Sequence, residues 1–114
     1  MLPKKRRLSS AEVREIIAHG KSVRGTVLSL KYVANKGFFK ASMVVPKSVA
    51  KRAVDRNRLR RALYRAVATL PSSKTQGLSN TMAVFFLRSV PSPLLPALRD
   101  DINAIINKIP SNHV

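Results

Sequence analysis

The sequence predicts an α+β domain, a small sheet with helices on one side of it, and three observations carry that expectation. Residues 26–45 alternate apolar and polar side chains on either side of an Ala34-Asn35-Lys36-Gly37 turn. Residues 82–87, Met-Ala-Val-Phe-Phe-Leu, form an unbroken apolar run bounded by turn residues. Apolar stripes of helical period lie before, between and after these segments. The chain has 114 residues, 45% of them apolar, which suits a single domain over 1–114 with one modest core. It has no tryptophan and only six Phe and Tyr, so the core is expected to be mainly aliphatic.

Taken in order, residues 1–8 read as a flexible basic arm. Ser9 or Ser10 can cap a helix starting near Ala11, with Glu12 and Glu15 at its positive end and Val13, Ile16 and Ile17 as its apolar stripe. His19-Gly20 reads as the stop, with Gly20 at the C′ position. Lys21 to Gly25 leave room for one more short strand. Residues 26–33 and 38–45 then read as two strands of an antiparallel hairpin, ended by Pro46. A loop leads into a helix that runs to about Leu70, and Pro71 to Asn80 form a polar, exposed loop. Met82 to Leu87 read as a central strand covered on both faces. Leu94 to Ile109 read as the last helix, with Pro96 in its first turn and Pro110 ending it. There is no internal repeat.

Charge is the dominant feature. The net charge is +17, and it is unevenly placed. Residues 1–88 hold 20 Lys and Arg against Glu12, Glu15 and Asp55, whereas residues 89–114 hold two cations and two acids. A surface this basic favours a polyanion, whose condensed counterions are released on contact. The charge peaks between Lys51 and Arg65, with seven basic residues and one acid in fifteen positions. There Leu59, Ala62, Leu63, Ala66, Val67 and Leu70 share one helical face. Asn57, Arg58, Arg60, Arg61, Tyr64 and Arg65 fan around the opposite arc, and Arg56 falls on the flank. Planar guanidiniums match phosphate oxygens, so the arc suits a nucleic-acid backbone. A merely solvated basic face is the competing reading; seven like charges on one short helix argue against it, because they repel unless an anion neutralises them. An acidic membrane surface fits less well, because the helix lacks a bulky apolar face.

Other classes of function find little support. Without cysteine there is no disulfide and no zinc–thiolate site, which fits a reducing, cytoplasmic setting. No segment has the 18 consecutive apolar residues of a membrane span, and the start lacks the apolar run of a secretory signal. The five carboxylates form no plausible pair, since the adjacent Asp100 and Asp101 point about 100° apart on a helix. His19 and His113 are far apart in sequence, and no metal-ligand spacing or glycine-rich phosphate loop is present. No catalytic residue and no metal ligand are therefore assigned to the chain, and any catalysis must draw its reactive groups from a partner. A DNA-binding transcription factor is disfavoured by the hairpin between the helices.

One resemblance is specific. Ala53-Val54-Asp55-Arg56-Asn57-Arg58-Leu59-Arg60-Arg61, preceded by Val45-Pro46-Lys47 and Lys51-Arg52, closely resembles the signature of the bacterial ribonuclease P protein component. The basic arm, first helix, hairpin, apolar strand ending in Arg88 and final amphipathic helix occur in the family's order, so the resemblance covers nearly the whole chain. It implies a two-layer α/β sandwich, with a small, mainly antiparallel sheet and a left-handed β-α-β crossover. It also implies an RNA-binding subunit of the ribonucleoprotein that removes the 5′ leader from precursor tRNA. The RNA subunit would hold the catalytic magnesium, and no obligate protein partner is implied. Carried over residue by residue, Lys47, Lys51, Arg52, Arg56, Asn57, Arg58, Arg60, Arg61 and Arg65 would face the catalytic RNA. Val13, Ile17, Lys31 and Tyr64 would belong to the cleft for the leader. The chain departs from the family's pattern at Val13 and Ile17, where phenylalanines are frequent, and near Lys31, where an aromatic is common. It departs also at Ser48 and Tyr64, where basic residues are usual. For Val13 and Ile17, plain core packing stands beside the cleft reading. A non-catalytic RNA-binding protein of ribosomal type is the alternative function.

Overall fold

The computed structural model describes residues 7–34, 39–69 and 81–109. The elements are α1 (Ser10–His19), β1 (Lys21–Arg24), β2 (Leu28–Val33), β3 (Lys40–Val44), α2 (Ala53–Ala68), β4 (Met82–Leu87) and α3 (Leu94–Lys108). The predicted order of helices and strands holds, and the short strand at 21–24 is present. The expected loop at 71–80, most of the 34–37 turn and arm residues 1–6 lie outside the described residues.

The sheet order is β1-β2-β4-β3. β1 and β2 are antiparallel, β2 and β4 are antiparallel, and β3 runs parallel to β4. The sheet is thus mixed and mostly antiparallel, as expected, but the 26–45 hairpin is not formed. β4 lies between β2 and β3, which never pair. The physical reason is in β4 itself: five of its six residues are buried, so both of its edges and both of its faces need cover. β2 and β3 each bury only alternate residues, and between them they flank it. The chain from β3 to β4 passes through α2, which makes β3–α2–β4 the parallel crossover unit.

Helices cover both faces rather than one. α2 and α3 lie side by side over the larger core, where Leu59, Leu63, Ala66 and Val67 of α2 and Leu98, Ile102 and Ile105 of α3 meet Leu28, Leu30, Met43, Phe85 and Leu87. α1 covers part of the opposite face, with Ile16 packed on Met82 and Val84. Each fully buried Leu or Ile of this kind stabilises by about 1.5–3 kcal/mol relative to exposure.

Local chemistry sets the ends of α1. Ser9 is its N-cap: the Glu12 backbone N–H donates to the Ser9 hydroxyl at 3.2 Å, and the Ser9 N–H donates to the Glu12 carboxylate at 2.9 Å. Lys40 of β3 adds an ion pair to the same carboxylate at 3.3 Å, which ties the cap to the sheet. The Ser9 backbone N–H foremost, with the Lys40 ammonium assisting, holds the Glu12 carboxyl below its usual range against a smaller opposing effect of burial. At the other end Gly20 is extended, not left-handed. Its need is space, since a Cβ there would lie 2.5 Å from the Ile16 carbonyl oxygen.

A second anchor was hidden in the acid-poor sequence. Asp101 of α3 is buried, and its carboxylate accepts three backbone N–H bonds from the β1–β2 turn: Thr26 at 2.6 Å, Leu28 at 2.9 Å and Val27 at 3.1 Å. Residues 26 and 27, expected as strand, are held in this turn. Gly25 is required beside it, because a Cβ would come within 2.6 Å of both carboxylate oxygens. At the outer edge of β3, the Leu8 N–H donates to the Ala41 carbonyl at 3.3 Å, so residues 7 and 8 cover part of that edge.

Candidate nucleic-acid interface

α2 divides as its sequence period dictates. Its apolar side is buried against the sheet and α3, while Arg52, Asn57, Arg58, Arg61 and Arg65 are exposed. Lys47 and Lys51, on the segment leading into the helix, are exposed beside it. Val54 is 61% exposed in the first turn, an apolar side chain within a cationic face.

The cations are not equivalent. Asp55, the only acid of α2, lies between two of them, with Arg52 Nε at 3.4 Å and Arg58 Nη2 at 3.9 Å. Arg60 donates to the Asn57 side-chain oxygen. Arg56 is half-buried, and its Nη1 donates to the carbonyls of Lys51 at 2.6 Å and Ala50 at 3.1 Å. Lys47, Lys51, Arg61 and Arg65 make no side-chain hydrogen bond or ion pair among the described residues. They are the cations most available to an outside anion.

Tyr64 corrects the expectation. It is 8% exposed and packs in the core with Leu63, Val67 and the strands, on the face of the sheet away from α1. The helical period puts it on the polar arc, between Arg60 and Asn57, but the buried face of α2 extends round to it, because an aromatic ring gains more by folding inward than by facing water. It therefore lines no cleft with α1.

The other three cleft residues do converge. Lys31 Nζ donates to the Ile17 carbonyl at 3.0 Å, bridging β2 to the last turn of α1. Val13 is half-buried against the Ile16 cluster, and Ile17 is 43% exposed. The α1 side of the sheet carries a row Arg24, Ser29, Phe86, Val44 and, next to it, a row Ser22, Lys31, Val84, Ser42. Phe86 is the one residue of β4 that is not buried. The sequence offers no signal for it, because an unbroken apolar run hides which position reaches the surface. Only the register beside Ser29 and Val44 shows it.

The carboxylates do not gather. Glu12 caps α1, Asp55 pairs with arginines and Asp101 binds backbone amides. No group of three or more His, Cys, Asp or Glu side chains placed to hold a metal occurs among the described residues. Nor is any described helix long and apolar enough to cross a membrane.

A ribonuclease P family model matches residues 2–109, nearly the whole chain. The chain belongs to the ribonuclease P protein family. A ribonuclease P protein component from Pseudanabaena sp. (strain PCC 6903) is 36% identical over 111 residues, covering 95% of this chain and 94% of that relative. Two solved ribonuclease P proteins share the fold. That of Staphylococcus aureus superposes with a TM-score of 0.72 at 18% identity, over 91% of this chain and 96% of its own. That of Thermotoga maritima gives 0.70 at 16% identity, over 91% and 97%. The resemblance read from residues 45–61 and the order of elements is thereby established as family membership.

Proposed function

We propose that this chain is the RNA-binding subunit of ribonuclease P and promotes removal of the 5′ leader from precursor tRNA. The observation that carries this reading is the uncovered cationic face of α2 and its leading segment, on a chain whose family is that of the ribonuclease P protein. Lys47, Lys51, Arg52, Arg58, Arg61 and Arg65 neutralise phosphates of the catalytic RNA. Asn57 and Arg60, already hydrogen-bonded to each other, present a paired donor set beside them. No metal is assigned to this chain, because its carboxylates are dispersed and three of the five, Glu12, Asp55 and Asp101, are already engaged. The magnesium that supplies the hydrolytic chemistry belongs to the RNA subunit, in the cytoplasm, and no further protein is required.

The leader of the precursor lies across the α1 face of the sheet. Ile17 and Val13 offer aliphatic contact, Lys31 offers charge, and Phe86 supplies an aromatic surface for one base. Stacking of this kind is worth about 1–3 kcal/mol per base. It stands in for the aromatics expected at positions 13 and 17.

The salt dependence of binding to the catalytic RNA tests the docking face. Arg58→Ala and Arg61→Ala should each weaken binding and reduce the slope of log K against log salt by about one. Slopes equal to that of the unaltered protein would contradict the assignment of α2 to the RNA.

A further inference from the structure

Arg56 stands apart from the other cations of the motif. It lies in the first turn of a helix whose N-cap, Arg52, makes no side-chain capping bond. Its side chain reaches back along the chain, and a single guanidinium nitrogen, Nη1, donates to the carbonyls of both Ala50 and Lys51. The segment it grips already turns once, with the Val49 and Ala50 N–H groups donating to the Pro46 carbonyl at 3.0 and 3.2 Å. Val49 and Ala50 rest on the main core, while Lys51 and Arg52 are exposed. The two carbonyls that Arg56 holds therefore sit where the chain leaves the core and begins to present cations. Charge-assisted bonds to both are stronger than neutral ones and fix the two peptide planes on either side of Lys51.

We propose that Arg56 is a positioning residue for RNA docking, acting through the backbone of residues 50–52 to hold Lys51 and Arg52 in register with Arg58 and Arg61. This rests on the reading that α2 faces the RNA. The competing arrangement is direct contact between Arg56 and a phosphate through its second terminal nitrogen. The two differ in what happens before any RNA is present, and in how Arg56 couples to Lys51.

The test uses the full chain with Lys51→Ala, Arg56→Ala, Arg56→Lys, Arg61→Ala and the Lys51→Ala/Arg56→Ala double variant. Amide hydrogen exchange is measured on the free protein, and affinity for the catalytic RNA is measured at fixed salt. Arg56→Ala should speed exchange at residues 50–53 while leaving β4 and α3 as they were, and it should weaken RNA binding. Because Arg56 acts through Lys51, the double variant should bind within about twofold of Arg56→Ala alone, where independent contacts would multiply. Arg56→Lys keeps the charge but is too short to span both carbonyls, so it should resemble Arg56→Ala in both readouts; it carries the test if the alanine variant does not fold. Unchanged exchange in the Arg56 variants, multiplicative effects, or full RNA affinity in Arg56→Lys would each overturn the proposal. If Arg61→Ala weakens binding and the Arg56 variants do not, the positioning role alone fails. If none of the variants alters affinity, the docking reading fails with it.

Discussion

Asp55 lies between the guanidiniums of Arg52 and Arg58, and it is the one acid of α2. Both arginines are about three-quarters exposed, so these pairs contribute little to stability. In the proposed docking their effect falls on binding, since the carboxylate would compete with RNA for the same donors and repel phosphate. Asp55→Asn should therefore tighten binding to the catalytic RNA, by an amount that shrinks as salt is raised; weaker binding at low salt would mean that Asp55 orients the arginines rather than competing for them. Asp101 is the opposite kind of acid, buried and fully engaged. Asp101→Ala leaves three turn amides without an acceptor, each costing about 1–3 kcal/mol where water cannot reach it. A loss of about 2–4 kcal/mol in urea unfolding is expected, with no change in RNA binding per folded molecule. The role of Asp101 was legible in principle: it lies three residues after Leu98 and four before Ile105, on the apolar stripe, where a carboxylate must find donors. Tyr64 was not legible, because the helical period places it on the polar arc, between Arg60 and Asn57.

Between elements, two polar contacts tie α1 to the sheet beside the packing of Ile16, Glu12 to Lys40 and Lys31 to the Ile17 carbonyl. The Glu12 carboxyl is lower in the folded chain than its ordinary value of 4.5. A carboxylate lowered in the folded state contributes stability that is present above the unfolded value and is lost as pH falls through the folded one. The Glu12→Gln variant should accordingly lose stability near neutral pH and show a shallower acid decline below pH 4.5 than the unaltered protein, as followed by thermal unfolding. The row holding Phe86 makes a separate prediction for the leader. Phe86→Ala should weaken binding of precursor tRNA by the holoenzyme while leaving mature tRNA, which has no leader, unaffected; equal losses for both would place Phe86 outside the leader path. The division of α2 into apolar and basic faces was readable because a period of 3.6 is a local property. Strand pairing is not local. The alternation at 28–33 and 40–44 showed which residues face inward, but consecutive strands are only usually neighbours, and β4, arriving nearly forty residues later, came between them.

At the scale of the whole molecule, the sheet separates two surfaces. α2 and its leading segment form a cationic face on one side, and α1 with Ile17, Lys31 and Phe86 lies on the other. The excess charge belongs to the first three quarters of the chain, and α3 is nearly neutral packing for the larger core. In the proposed function these two surfaces meet the catalytic RNA and the leader at once, with the protein's charge lessening the repulsion between two RNA backbones. That repulsion is least screened when divalent cations are scarce. Cleavage of precursor tRNA by the catalytic RNA at low magnesium, with and without this protein, tests that bridging role. A protein that bridges the two RNAs should give a marked gain in leader cleavage, shrinking as magnesium rises, and RNA-free protein alone should give no cleavage. No gain at low magnesium, or cleavage by the protein without RNA, would contradict it.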